Sequence, residues 1–166
     1  MKGTVAPFVN FDCVNLLDEG AEGCPVELVA SLEEARAYLK SHEWVVSIDQ
    51  EYLGDFFEGI LGIFLFRITP RFVGVDDFVW VLVGDIPSLY ITVDECPNPA
   101  TALDGYIGAL EKWVEAVFAS QPTDELFPVE AAATNENAIN LKSRLEFLDE
   151  RILPTCRGSL KEDRRQ

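Results

Sequence analysis

The stretch DDFVWVLVGDIPSLYITVDE, residues 76–95, constrains the fold more than any other part of the chain. It predicts two β-strands, residues 78–83 and 89–93, because β-branched and aromatic residues flank a corner of Gly, Asp, Pro and Ser, which favour turns. The first strand, FVWVLV, has apolar side chains on both faces. A strand without a polar face is covered on both sides. We therefore expect residues 78–83 at the centre of a sheet, with Trp80 buried.

A third strand is predicted before this hairpin. Residues 60–68, ILGIFLFRI, again have two apolar faces, and Thr69-Pro70 ends the run because proline cannot donate to a β-ladder. The short connection to the hairpin predicts an antiparallel neighbour and hence a three-stranded meander. The apolar run in residues 42–48 is too short to assign, and residues 49–58, DQEYLGDFFE, form an acidic and aromatic segment.

Three helices are predicted from apolar periodicity, over residues 31–41, 99–119 and 135–152. Ser31 with Glu34 has the spacing of a capping box at the start of the first helix. Asn98 is a favourable N-cap for the second, with Pro99 at its first position. Pro154 should end the third helix.

These elements predict an α+β fold: a small antiparallel sheet, with the three-stranded meander at its centre, packed with about three helices. Trp80 and Leu110 should lie in its core. The length of 166 residues fits one domain over residues 1–156, with residues 1–27 as a mostly irregular arm and residues 157–166 as a polar, disordered tail.

The N-terminus lacks the apolar run of a signal peptide, and the four cysteines have no paired spacing. We therefore expect a soluble cytosolic protein with reduced thiols at Cys13, Cys24, Cys96 and Cys156.

Charge is the most unusual feature of the composition. The chain carries 29 acidic and 13 basic residues, a formal net charge of −16. Residues 43–130 hold 16 of the acids and only three bases. Such a field repels nucleic acid and anionic membranes and attracts a basic protein or a cation, although a high net charge also serves solubility alone.

Two acidic groups are candidate binding sites. The segment 49–58 combines carboxylates with aromatic rings, which suits a protein interface. The acids at the open end of the predicted hairpin are the best candidates for a cation site. Strand ends that are simply exposed to solvent would give the same sequence pattern. The candidate binding residues are Asp49, Glu51, Tyr52, Asp55, Phe56 and Glu58 in the segment, and Asp76, Asp77, Asp94 and Glu95 at the hairpin ends.

No motif predicts catalysis, a metal or a cofactor. The single histidine, His42, would need a nearby cysteine and an orienting group to act as a catalytic base, whereas a histidine at a helix end more often interacts with terminal carbonyls. The segment that begins at Asp49 does not match a calcium-binding EF-hand loop, because Leu53 and Ile60 occupy positions that need oxygen ligands. The sequence also lacks phosphate-binding glycine loops, nucleophile elbows and zinc-ligand spacing.

Four runs resemble a family of small acidic bacterial proteins that has no established activity. They are FLFRITP (64–70), VDDFVWVLVGDIPSLYITVDECPNP (75–99), ALDGYIGALEKWVEAV (102–117) and LKSRLEFLDERILP (141–154), and the resemblance covers roughly residues 43–154. In general character the chain also resembles the immunity proteins of polymorphic-toxin systems. These are acidic cytosolic domains without catalytic motifs that bind and block a toxin domain. The resemblance implies such a role but assigns no functional residue.

The leading hypothesis is a non-enzymatic acidic protein that sequesters a basic protein partner, as an immunity protein does with a toxin domain. Carboxylates would steer the encounter and exposed aromatic residues would provide affinity. Two other classes remain open: a small metal-dependent enzyme that uses the hairpin-end carboxylates, and a homo-oligomeric adaptor that pairs through a free sheet edge.

Overall fold

The computed structural model describes residues 9–17, 25–75, 77–94, 96–126, 129 and 131–163. In this part of the chain, one antiparallel sheet has its strands in chain order: β1 (Asn15–Leu16), β2 (Val45–Phe57), β3 (Leu61–Pro70), β4 (Phe78–Gly84) and β5 (Leu89–Thr92). The helices are α1 (Val26–Lys40), α2 (Pro99–Phe118), α3 (Asn135–Phe147) and α4 (Leu153–Asp163). A 3-10 turn (Phe11–Cys13) precedes β1, and a π-helical turn (Leu148–Ile152) joins α3 to α4. The predicted α+β fold is confirmed.

Strand β4 lies between β3 and β5, as predicted. Trp80 pairs with Leu65 of β3 and with Ile91 of β5. All six side chains from Phe78 to Val83 are buried, which confirms the inference drawn from their two apolar faces. Burial of each large apolar side chain contributes roughly 1.5–3 kcal/mol, so the hydrophobic effect holds β4 firmly from both faces.

Two hydrophobic cores lie on opposite faces of the sheet. On one face Phe78, Trp80 and Leu82 pack with α2, α3 and α4, and on the other the three valines of β4 pack with α1. Trp80 and Leu110 are both fully buried, as predicted. The indole N–H of Trp80 also donates to the Cys96 carbonyl oxygen at 2.8 Å, so its polar atom is satisfied inside the core.

Strand β2 is the main addition to the predicted sheet. The unassigned residues 42–48 and the acidic segment 49–58 together contribute a 13-residue strand that pairs with β3 along its whole length. Its register shifts between Val45 and Ser47, Ile48 and Gln50, and Leu53 and Asp55. Each shift breaks the two-residue alternation, which is the signal that a strand leaves in a sequence.

Residues 9–17 of the predicted irregular arm contribute a short edge strand to the sheet. Strand β1 pairs with β2, and the Leu17 amide donates to the Glu51 carbonyl oxygen at 2.7 Å. Helix α1 begins at Val26, five residues before the predicted start. The capping box was therefore wrong: Ser31 and Glu34 lie inside the helix, whose N-cap, Pro25, makes no side-chain hydrogen bond.

The N-cap of helix α2 was predicted correctly. The Asn98 side chain accepts from the Thr101 amide at 2.9 Å, the Thr101 hydroxyl lies 3.2 Å from the Asn98 amide, and Pro99 opens the helix. The predicted end of the third helix was wrong, because α3 passes through the π-helical turn into α4, in which Pro154 is the second residue, and α4 ends at Asp163. Residues 157–163 of the predicted polar tail belong to this helix, and residues 164–166 lie outside the described residues.

No disulfide joins Cys13, Cys96 and Cys156 in the described part of the chain, and Cys24 lies outside it. Cys96 and Cys156 are buried within the core on the α2 face of the sheet. The same described residues include no helix that combines the length and the apolar character needed to cross a membrane.

The register shift between Leu53 and Asp55 depends on Gly54. A Cβ atom at this position would lie 2.9 Å from the Ile63 carbonyl oxygen, 3.0 Å from Pro99 Cγ and 3.1 Å from Trp80 Cζ3. We expect Gly54→Ala to lower the free energy of unfolding by about 1–3 kcal/mol, because β3 and the buried indole leave no room for the methyl group. Urea denaturation measures this change.

Gly108 in helix α2 is the matched control, because a Cβ atom there meets nothing within 4 Å. Gly108→Ala should raise the free energy of unfolding by about 0.5–1 kcal/mol through helix propensity. If Gly54→Ala is neutral or stabilising, β2 does not pack against Trp80 in this way.

Candidate functional site

An aromatic cluster surrounds the C-terminal end of α1. The ring of His42 makes edge-to-face contacts with Tyr38, Trp44 and Tyr90 at centroid distances of 4.9, 5.5 and 5.1 Å. Trp44 and Tyr90 contact each other at 5.1 Å. The cluster therefore joins the end of α1, the start of β2 and the edge strand β5.

His42 has the structural role that its position at a helix end favours. Its Nδ1 lies 2.9 Å from the Tyr38 carbonyl oxygen, one of the last carbonyls of α1. Its other recorded partners in the described part of the chain are the three rings and the Ser41 hydroxyl. None of these is a cysteine, so the pairing required for a catalytic role is not formed there.

An apolar groove opens beside this cluster. It has a volume of about 340 Å³ and is lined by Trp44, Phe72, Val75, Phe78, Val79, Tyr90 and Thr92. The loop between β3 and β4 forms one wall, and the Arg71 amide donates to the Trp44 carbonyl oxygen at 2.8 Å, which ties the loop to the aromatic cluster. Phe72 is 58% exposed, and its neighbour Val73 is fully exposed. Adjacent apolar side chains left in solvent are typical of interaction sites.

Charged residues of both signs surround the groove. Glu43 precedes Trp44 and Asp94 follows β5, and both are exposed. Asp77, before β4, lies 4.0 Å from Arg67, and Arg71 is exposed in the loop. The groove thus provides apolar surface and individual carboxylates, while the strong negative field is a property of the whole chain.

The structure divides the acidic segment 49–58 between the two faces of β2. Glu51 lies on the α1 face, where its carboxylate accepts two hydrogen bonds from the Arg36 guanidinium, and its side chain is only 12% exposed. Asp49 accepts from the hydroxyls of Ser47 at 2.8 Å and Thr69 at 2.7 Å. Two of the predicted steering charges therefore already have partners within the chain.

The remaining residues of the segment are also dispersed. Asp55 accepts from the Phe56 amide at 2.9 Å and hydrogen-bonds to the Cys156 thiol on the α2 face, whereas Glu58 is exposed in the turn after β2. Tyr52 packs against the α2-face core, and Phe56 packs against the α1-face core. These six residues do not form one surface.

The hairpin-end acids are only partly described. Asp76 and Glu95 lie outside the described residues. The pairing of Val79 with Thr92 places Asp77 and Asp94 just beyond the last pair of the β4–β5 ladder. Within the described ranges, no group of three or more His, Cys, Asp and Glu side chains has the geometry to hold a metal ion.

The groove residues that sequence reasoning missed come from loops and from strand edges. Phe72 lies between Pro70 and Gly74, in a segment whose proline and glycine predict a turn, and its exposed neighbour Val73 lies in the same segment outside the groove. Large apolar residues within such a segment are the signal that could have identified them, because a turn lies on the surface. Tyr90 has no comparable signal, since its exposure depends on β5 being an edge strand.

The Cys156 thiol is held in its protonated form. Burial raises the pKa of this thiol far above its ordinary value, and the nearby Asp55 carboxylate raises it further. Because the thiolate is the nucleophilic form of cysteine, this environment suppresses its reactivity.

The free energy of unfolding should fall as the pH rises above about 9, the range in which an unfolded cysteine ionises. The folded pKa is raised, so the stabilisation is complete below the unfolded pKa and is lost as the unfolded state releases its proton. We expect up to about 1 kcal/mol per pH unit from Cys156, measured by urea denaturation between pH 7.5 and 10. Cys156→Ala should remove this part of the pH dependence, and an unchanged pH profile in that variant would contradict the assignment.

Glu51 and Glu58 offer a matched comparison, since only Glu51 has an ion-pair partner with little exposure. Glu51→Gln should lower the free energy of unfolding by about 1–2 kcal/mol, because it weakens a two-point ion pair to Arg36. Glu58→Gln should change it by less than about 0.5 kcal/mol, as exposed substitutions usually do. Equal thermal stability of the two variants would show that the pair with Arg36 is not formed in solution.

No protein-family model matches the chain, and neither a curated protein nor a solved structure shows significant similarity to it. The aromatic groove beside Trp44 and Tyr90 is therefore identified as the candidate functional site from its own geometry and exposure.

Proposed function

We propose that the chain is a non-catalytic binding protein that holds a basic protein partner at the aromatic groove. The observation that carries this proposal is the exposed apolar surface of the groove, where Phe72 is more than half exposed beside the rings of Trp44 and Tyr90. Rigid aromatic side chains supply large contact areas at low entropic cost and are enriched among the residues that dominate binding energy.

The charge of the chain specifies the kind of partner. A net charge of −16 disfavours an acidic partner and accelerates encounters with a basic one. The exposed carboxylate of Glu43 precedes Trp44 and that of Asp94 lies two residues after Thr92, where each is positioned to meet a lysine or arginine of the partner. The field would steer association, and the groove would provide the affinity.

The finer proposal is that this chain is an immunity protein that neutralises a bacterial toxin domain by occlusion. It rests on the resemblance in general character to such proteins and on the suitability of a basic toxin domain as the partner of an acidic surface. Occlusion requires no catalytic group in this chain, only a stable contact that covers the active site of the toxin.

A test begins with two matched exposed phenylalanines, Phe72 in the groove and Phe118 at the end of α2, which are 58% and 44% exposed. A basic protein captured by the wild-type chain is identified, purified and bound again in isolation. Phe72→Ser should weaken that purified interaction at least about 10-fold, as loss of a hot-spot aromatic does, while Phe118→Ser should leave it unchanged.

Association kinetics then test the electrostatic part. Reversing Glu43 and Asp94 to lysine should slow association, and the wild-type association rate should fall as salt concentration rises. Reversing Glu136 and Asp149 in the helical layer on the opposite face of the sheet is the control for net charge. A partner that binds Phe72→Ser as tightly as the wild type, or with no dependence on salt, would contradict the proposal.

The Phe72→Ser variant also distinguishes binding of a basic partner from the homo-oligomeric alternative. Strand β5 is an edge strand that contributes Tyr90 to the groove, so a second copy of the chain would also cover this surface. A dimer in solution that dissociates on Phe72→Ser, with no basic partner required, would replace the proposed function with self-association.

A further inference from the structure

A second cleft lies at the opposite end of the sheet strands, where the corner between β4 and β5 meets α3. Its volume is about 640 Å³, within the range typical of small-molecule sites. It is lined by Ile60, Asp85, Ile86, Asn140, Ser143, Arg144, Phe147 and Leu148. The cleft shares no lining residue with the aromatic groove, so its function is independent of the one proposed above.

Helix α3 supplies one wall because its spacing brings four side chains to a single face. Asn140, Ser143, Arg144 and Phe147 follow one another at intervals of three, one and three residues, which is the pattern of one helical face. The wall ends where α3 passes into the π-helical turn at Leu148. Such turns are rare, and they occur frequently at functional sites.

The other wall is the corner between β4 and β5. The Asp85 amide donates to the Ile60 carbonyl oxygen at 3.2 Å, which fixes the corner against the turn after β2. Across the cleft, the Arg144 guanidinium donates to the Asp85 carboxylate. Their side chains are 51% and 58% exposed, so this ion pair is solvated and contributes little to folding. A ligand that breaks this ion pair therefore lowers the folding stability of the chain only slightly.

The two charges of this pair define the ligand that the cleft fits. A net anion would meet Asp85 as well as the negative field of the chain, and a simple cation would meet Arg144. A zwitterion satisfies both, because its ammonium pairs with the carboxylate and its carboxylate pairs with the guanidinium. Apolar surface from Ile86 and Phe147 completes the cleft, and Phe147 is 45% exposed.

We propose that this cleft binds a free α-amino acid with an apolar side chain. The ammonium group of the ligand pairs with the Asp85 carboxylate, and its carboxylate pairs with the Arg144 guanidinium. Asn140 and Ser143 add hydrogen bonds to the ligand. The apolar side chain packs against Ile86 and Phe147, which removes exposed hydrophobic surface from water.

The test is a titration of the full chain with L-leucine and L-phenylalanine, followed by calorimetry and by amide NMR shifts. N-acetyl-leucine and leucine amide each lack one of the two charges and should bind at least about 10-fold more weakly than leucine. Asp85→Asn and Arg144→Gln should each weaken leucine binding by a similar factor. Lys142→Gln, which removes a positive charge of α3 that lines another groove, should not.

The shifts should concentrate at Ile60, Ile86 and Phe147, which locates the ligand even if a variant changes stability. Absence of saturable binding up to about 10 mM overturns the proposal, because weaker affinity leaves no specific site. Equal binding of the blocked derivatives overturns the zwitterion assignment, and unchanged binding in Asp85→Asn and Arg144→Gln overturns the location.

Discussion

The burial of β4 on both faces is the constraint on which the rest of the structure depends. Because its side chains alternate between two cores, the strand needs cover from α1 on one side and from α2 to α4 on the other. The Trp80 indole satisfies its N–H on the Cys96 carbonyl, so the segment that leads into α2 is joined to the centre of the sheet. A strand buried on both faces requires helices on both faces of the sheet, so the uncovered ends of β4 and β5 lie at the margins of the helical layers.

The two clefts lie at such margins. The aromatic groove forms beyond the last residue of α1, where the helix stops covering β4 and β5 and aromatic rings take its place. The second cleft forms where the corner between β4 and β5 extends toward α3. The groove takes Phe72 and Val75 from the loop between β3 and β4, whereas the second cleft takes its side chains from the β4–β5 corner and from helix α3. Both lie where exposed side chains are held by regular elements of the fold.

Several acids of the predicted binding segment have partners inside the fold and do not form an acidic surface. Glu51, Asp49 and Asp55 are engaged with Arg36, hydroxyl groups and Cys156, so they contribute to the internal structure of the sheet. Among the described residues, exposed acids such as Glu43, Glu58 and Asp94 lie in turns and add to a long-range field. Such a field acts on the rate of encounter with a charged partner, whereas the specific contact requires apolar surface.

The sequence by itself determined the fold class, the central position of β4, which side chains of β3 share a face, and the N-cap of α2. Each of these depends on local periodicity or on side chains within one turn. It did not reveal β2, whose register shifts at Gly54 and elsewhere interrupt the alternation that marks a strand. Tertiary structure alone decided that Glu51 pairs with Arg36 and that Tyr52 and Phe56 lie on opposite faces of the sheet. It also decided that Phe72, Tyr90 and Trp44, from three separate segments, line one groove. These are contacts between residues distant in the chain, and they depend on how the layers pack rather than on any pattern that a single segment contains.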